Sequence, residues 1–278
     1  MSALLRLERV SIRFGGVTAI SGLDLAVPEG SIFGLIGPNG AGKTSCFNVI
    51  TGVYQPSEGA VRFSGRVVNG LKPHRITRLG LARTFQNIRL FPEMSALENV
   101  MVGADAQQRS GIPGAVLGLP RHRREQREGR ALARELLAFT GVGGAGTEMA
   151  RNLAYGGQRR LEIARALATR PKLLLLDEPA AGMNPAEKIS LAELIRAIRD
   201  RGVSVLLIEH DMSLVMSVCD RIAVLDFGKK IAEGAPREVR ESPAVIEAYL
   251  GRPGDGDRSP LDAMAAGAEE ETGDASRG

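Results

Sequence analysis

A chain of 278 residues, 44% of them hydrophobic, is long enough to bury a full α/β core with a smaller subdomain attached. Its net charge of +4 is too small and too dispersed to argue for nucleic-acid binding, and no run approaches the roughly 18–20 continuous apolar residues that span a bilayer. Met1 to Val10 carries charges where a secretory signal needs an apolar centre, so the expected location is the cytosol or a membrane surface.

Leu5, Leu7, Val10, Ile12 and Phe14, then Leu23, Leu25 and Val27, alternate with polar residues, and Gly15-Gly16 and Pro28-Glu29-Gly30 supply turns. This pattern predicts an antiparallel edge sheet. The apolar run Ser31 to Ile36 then leads into Gly37, Pro38, Asn39, Gly40, Ala41, Gly42, Lys43 and Thr44, a complete G-x-x-x-x-G-K-[ST] phosphate loop. Its glycines let backbone N–H groups close round a phosphate at a helix N-terminus, where the partial positive charge also favours an anion. In such a loop Lys43 reaches the β/γ-phosphates and Thr44 holds Mg²⁺. The loop by itself leaves kinases, GTPases and motors all open.

From Ala96 to Leu167 the chain is helical in character, with glycine-rich pieces at 111–120 and 141–146, which predicts a helical insertion in an α/β core. Arg121, Arg123, Arg124, Arg127, Arg130 and Arg134 cluster there with Glu125, Glu128 and Glu135 interspersed. That run suits a solvated helix with i,i+3 or i,i+4 pairs, or a face near lipid headgroups or a membrane partner. No aromatic residues interleave with the arginines, which disfavours nucleic acid. Further on, Gly156-Gly157 stands just before a predicted helix with apolar Leu161, Ala164 and Leu167, a second helix N-terminus able to meet an anion. One chain does not easily fold two such termini round one γ-phosphate, so a second chain across an interface is expected.

Leu173 to Leu176 reads as a buried strand ending in two carboxylates. Asp177 has the position of the acid that holds Mg²⁺, and Glu178 that of a group that orients and polarises the attacking water. Val203 to Ile208 and Ile222 to Leu225 are further apolar runs suited to parallel strands buried on both faces. Cys46 and Cys219 have no metal-type spacing and are expected to be reduced core thiols in helices. After Leu250 almost no large apolar residue remains, which predicts a disordered tail over 251–278.

The order phosphate loop, Gln86, signature segment before Ile163-Ala164-Arg165-Ala166-Leu167, Asp177-Glu178 and His210 closely resembles the ATP-binding subunit of ABC transporters over about residues 1–250. The resemblance implies an α/β fold: a P-loop NTPase (RecA-like) core at about 1–85 and 166–250, with an N-terminal antiparallel β subdomain and an inserted α-helical subdomain at about 86–165. It implies ATP and Mg²⁺ as ligands, sandwiched between the loop of one subunit and the signature of another. By the same resemblance Phe14 stacks on adenine, Ser45 joins the loop in binding nucleotide, Gln86 links Mg²⁺ and the attacking water to the helical subdomain, and His210 contacts the γ-phosphate. Catalytic roles fall to Glu178, His210 and Gln86, and metal ligation to Thr44, Gln86 and Asp177.

Two departures stand out. The family signature is Leu-Ser-Gly-Gly-Gln, whereas Ala154 stands here at the serine, Tyr155 at the first glycine and Gly157 at the glutamine, with Gly156 retained. Losing the serine hydroxyl removes one γ-phosphate donor, an effect of roughly 1–3 kcal/mol. In the loop Pro179 to Pro185, Asn184 replaces the usual aspartate, and an amide still hydrogen-bonds, though without charge.

The segments 82–92, 152–156, 178–185 and 208–212 are similar to the LivG-type ATPases of branched-chain amino-acid importers, in which Gly157 would be glutamine. That branch implies a peripheral protein on the cytoplasmic face of the inner membrane. Its partners would be membrane permease subunits, a second ATPase subunit (a paralogue or a second copy) and, indirectly, a periplasmic binding protein, with no nucleic acid. Residues 86–98, including Phe91-Pro92-Glu93, are the permease-docking candidate by the same resemblance. Close relatives carry urea or amides. A soluble ABC-type ATPase acting on DNA or ribosomes usually adds a long coiled coil or a second cassette, and a P-loop kinase would need an acceptor pocket and lid.

Overall fold

The computed structural model of the chain describes residues 3–106 and 120–250. The tail at 251–278 and all but the last residue of the glycine-rich piece at 111–120 lie outside the described residues. The chain divides into two compact units, one of Met1–Gly70 with Lys188–Gly278, the other of Leu71–Glu187.

In the first unit, strand β1 (Ala3–Phe14) pairs with β2 (Val17–Pro28) in antiparallel register, Leu7 opposite Leu25 and Phe14 opposite Val17. The far edge of β1 takes β4 (Glu58–Phe63), which in turn pairs with β5 (Arg66–Val67), so the sheet order is β2-β1-β4-β5. Alternation works as the sequence predicts: Leu5, Leu7, Val10 and Ile12 are buried, and so are Leu23, Leu25 and Val27.

The unbroken apolar strand β3 (Ile32–Ile36) is buried at every residue, because it is flanked in parallel by β8 (Ser204–Ile208) and β9 (Arg221–Asp226). A final strand β10 (Lys229–Gly234) returns antiparallel to β9. Helix α1 (Lys43–Ile50) follows the loop and buries Cys46, Phe47, Val49 and Ile50. The Cys46 thiol is pushed up to about 12 by burial, and Cys219 likewise to about 12 by burial and then by Asp220, so both are inert reduced thiols. Cys219 is not helical as expected, since α7 (Met212–Val218) ends one residue before it. Among the described residues this unit also holds α6 (Pro185–Asp200), which begins in the other unit, α8 (Pro236–Arg240) and α9 (Pro243–Leu250).

In the second unit, α2 (Pro73–Arg78) leads to β6 (Leu81–Arg83), which pairs in parallel with the fully buried β7 (Leu173–Asp177). Among the described residues the helical part holds α3 (Ala96–Asp105), α4 (Pro120–Phe139) and α5 (Tyr155–Ala168), with 3₁₀ turns at Gly143–Ala145 and Ala150–Asn152. Ser95 starts α3 with a capping box: its hydroxyl accepts from the Glu98 amide at 3.2 Å and the Glu98 carboxylate accepts from the Ser95 amide at 2.8 Å. On α4, Arg124 pairs with Glu128 at 2.7 Å on an exposed face, the i,i+4 arrangement expected of a solvated helix.

Helices α3 and α5 pack so closely at Gly103 that an added Cβ would lie 2.1 Å from the Arg165 carbonyl oxygen. A backbone atom cannot step aside as a side chain can. Gly103→Ala is therefore expected to cost about 1–3 kcal/mol, read as a lower urea midpoint of the full-length chain. An unchanged midpoint would show that the two helices separate freely.

Candidate functional site

The loop at 37–44 belongs to the first unit. Gly37, Gly40 and Gly42 have φ of 149°, 81° and 100°, and two of them have no room for a side chain. A Cβ at Gly37 would meet the Leu225 carbonyl oxygen at 2.1 Å, and one at Gly42 the Ala19 carbonyl oxygen at 2.6 Å. Gly42 is the N-cap of α1 and offers no side-chain hydrogen bond, so the first amides of the helix remain turned to whatever anion the loop receives. The β9–β10 turn buttresses the loop from behind, with the Gly228 amide donating to the Ala41 carbonyl at 3.0 Å. Lys43 is buried, and its Nζ donates to the carbonyls of Gly37 at 2.6 Å and Pro38 at 3.0 Å, which holds the ammonium at the loop's mouth.

Phe14 and His210 lie in the same unit. Phe14 is 46% exposed at the end of β1 and meets Tyr54 edge-on, ring centroids 5.1 Å apart. An exposed aromatic pair is an adenine-sized platform, and Tyr54 was not legible in the sequence because only the fold brings it to Phe14. After β8 the buried Glu209 carboxylate accepts from the amides of His210 at 3.1 Å and Asp211 at 3.4 Å, which fixes the turn while the His210 side chain stays 63% exposed. Asp211 then caps α7 through the Leu214 amide at 3.0 Å and pairs with Lys188 at 2.6 Å. Burial works against the Asp211 charge, but the Lys188 ammonium and the Leu214 amide outweigh it and hold the carboxyl below its usual range.

The acidic pair belongs to the second unit. Asp177 ends β7, is buried, and accepts from Arg83 of β6 at 2.7 Å. Nothing in the sequence marked Arg83 as the partner of this acid. Glu178 has φ 47°, the left-handed region that costs a non-glycine residue about 1–3 kcal/mol and persists where surrounding structure imposes it. Its carboxylate accepts from Gln86 Nε2 at 2.9 Å. Two candidates separated by 92 positions are thus brought into contact. The donor types of each unit suit Mg²⁺, which takes hard oxygen ligands and needs only one or two from the protein when phosphate oxygens and water supply the rest: a hydroxyl at Thr44 in the first unit, and separately an amide oxygen at Gln86 and a carboxylate at Asp177 in the second.

The signature segment differs from expectation in one respect. Helix α5 begins at Tyr155, so Gly156 and Gly157 lie inside its first turn and not before it. Ala154 is the N-cap, with extended ψ of 154° and no side-chain bond, so the helix-start amides are open to an anion even without a serine hydroxyl. An added Cβ at Gly156 would sit 2.7 Å from Glu187 Oε1, whereas at Gly157 it would find only ordinary contacts at 3.6 and 3.9 Å. Nothing in the structure requires glycine at 157. Asn184 is the N-terminal cap of α6: its Oδ1 accepts from the Glu187 amide and Glu187 Oε2 accepts from the Asn184 amide, both at 2.9 Å, a task an aspartate would perform equally.

Comparison with known proteins gives concordant matches. A family model described as ABC transporter matches residues 20–181, and one described as branched-chain amino acid ATP-binding cassette transporter matches residues 229–255. The high-affinity branched-chain amino acid transport ATP-binding protein BraF of Pseudomonas aeruginosa is 46% identical over 249 residues, covering 89% of this chain and 98% of BraF. LivG of Escherichia coli K12, which carries the same description, is 45% identical with the same coverage. Among solved structures, the ADP conformation of MJ1267, an ATP-binding cassette of an ABC transporter, superimposes with a TM-score of 0.79 at 30% identity, covering 91% of this chain and all of that one.

Proposed function

Because this chain belongs to the ABC transporter ATP-binding family, we propose that it is the ATP-hydrolysing subunit of an importer for branched-chain amino acids. The observation that carries the solute class is the match of residues 229–255 to the branched-chain model, which is separate from the general family match at 20–181.

In this reading the amides at the start of α1 and the Lys43 ammonium neutralise the β/γ-phosphates of ATP, and Phe14 with Tyr54 carries the adenine. Thr44, Asp177 and Gln86 would hold Mg²⁺, which would supply charge neutralisation to the phosphates. Glu178 orients the attacking water and accepts its proton, Gln86 positions that carboxylate, and His210 meets the γ-phosphate. The helix start at Ala154 to Gly157 serves the ATP held by a second subunit, either a paralogue or another copy. The pair sits on membrane permeases at the cytoplasmic face of the inner membrane, supplied with solute by a periplasmic binding protein.

The test is reconstitution of the full-length chain with its membrane and binding-protein partners in vesicles. ATP-dependent uptake of leucine, isoleucine or valine is the expected result. Uptake of urea or an amide in their place would overturn the solute class, and uptake without ATP consumption would overturn the motor itself.

A further inference from the structure

The geometry points to Arg159 and Glu162 as positioning residues for Gln86: together they form a buried ion pair that fixes the backbone on which Gln86 stands, and through it the contact with Glu178. The inference rests on the reading of Gln86 and Glu178 as the groups that place the attacking water.

The Thr84 amide still bonds the Leu175 carbonyl at 2.9 Å, but residues 85–90 lie outside any helix or strand, so no ladder of backbone hydrogen bonds holds them. Side chains do so instead. Arg159 and Glu162, one turn apart on α5, are 3% and 2% exposed and lie 3.4 Å from each other. Arg159 Nη1 donates to the Phe85 carbonyl at 2.6 Å and Nη2 donates to the Gln86 carbonyl. Glu162 Oε1 accepts from the amides of Phe85 and Arg89, both at 3.4 Å. One ion pair therefore takes both backbone polar groups of Phe85, the carbonyl of Gln86 and the amide of Arg89. Burial holds the Glu162 carboxyl above its ordinary range, with the Arg89 amide and the Arg159 charge opposing it. The next stretch is pinned in the same manner by the buried Asn99, which bonds the amide and carbonyl of Phe91 at 2.9 and 3.0 Å.

The clamp also reaches the signature segment. The Tyr155 hydroxyl accepts from Arg159 Nη2 at 3.0 Å, and the guanidinium carbon lies 5.5 Å from the ring centroid. A residue at the head of α5 is thus joined to the Glu178 carboxylate through Arg159 and Gln86 alone. A guanidinium suits this place because its planar fork serves four acceptors at once, the carbonyls of Phe85 and Gln86, the Glu162 carboxylate and the Tyr155 hydroxyl, whereas an ammonium has only three donors.

Removing one member would leave a buried charge uncompensated, so both are replaced together by apolar residues of similar size, a change that buried ion pairs often tolerate. In the full-length chain, Arg159→Met with Glu162→Leu is expected to lower kcat for ATP about 10–100-fold, with KM and nucleotide affinity unchanged and with faster amide exchange at Phe85 and Arg89. Adding Gln86→Ala should lower kcat no further than Gln86→Ala does alone. Losses that multiply, or unchanged exchange at those two amides, overturn the clamp while leaving the roles of Gln86 and Glu178 intact. A Gln86→Ala enzyme with wild-type kcat instead removes the reading beneath it. Should the double replacement fail to fold, Arg159→Lys keeps the charge and loses the planar fork, and should lower kcat about 2–10-fold at constant KM with faster amide exchange at Phe85; unaltered kcat and exchange there overturn the proposal.

Discussion

Glu178→Gln is expected to retain ATP binding, to lose hydrolysis by about 10²–10⁴-fold, and to accumulate a closed dimer in ATP. The magnitude is that of a positioned general base. Glutamine has the same shape, keeps an oxygen that accepts from Gln86 Nε2, now at 2.9 Å from the carboxylate, and leaves the φ of 47° at residue 178 no more strained than before. What it loses is the charge that polarises water and accepts its proton. In the proposed mechanism phosphate binding depends on the loop at 37–44, which lies in the other unit, so binding and chemistry should separate cleanly. Single-turnover hydrolysis and light scattering in ATP measure the two consequences. Wild-type turnover in this variant would dismiss Glu178 as the water-positioning acid, and loss of ATP binding together with turnover would mean that the acid supports the fold more than the reaction.

Much of this arrangement was legible because the strongest signals are local. β3 and β7 are short unbroken apolar runs, and such runs have one economical place, the interior of a parallel sheet. The loop that follows β3 and the acids that close β7 are then fixed by sequence adjacency alone. The predicted start of α5, just after Gly157, falls three residues late because a glycine pair reads as a break, each glycine costing a helix about 1 kcal/mol against alanine, while the burial of Leu161, Ile163, Ala164 and Leu167 sustains the helix regardless. Arg83, Arg159 and Glu162 look like ordinary charges on strand and helix. Only tertiary structure turns them inward, and a buried charge announces itself by its partners and not by its neighbours in sequence. The left-handed backbone at Glu178 leaves no trace in the sequence either, since the residues usually chosen for it are glycine and asparagine.

Lys43→Ala should weaken ATP binding about 10–150-fold, the equivalent of losing one charge-assisted contact worth about 1.5–3 kcal/mol, with hydrolysis falling at least in proportion. The ammonium is buried and held within 3.0 Å of two loop carbonyls, so its position is set before any phosphate arrives and little side-chain entropy is lost on binding. Lys43→Arg is no rescue. The guanidinium is wider, and the ammonium is bounded by the Gly37 carbonyl at 2.6 Å and the Pro38 carbonyl at 3.0 Å. Alanine also takes the Lys43 donor from the Gly37 carbonyl, while the Pro38 carbonyl keeps the Ala41 amide at 3.2 Å, so a small loss of stability is expected alongside. Nucleotide titration of the full-length chain, with a thermal melt of each variant, distinguishes the two effects: a melt close to wild type with weakened ATP assigns the loss to phosphate recognition. Undiminished affinity would place the phosphates elsewhere than the Lys43 ammonium, and the whole reading of the loop at 37–44 would have to be redrawn from its backbone amides alone.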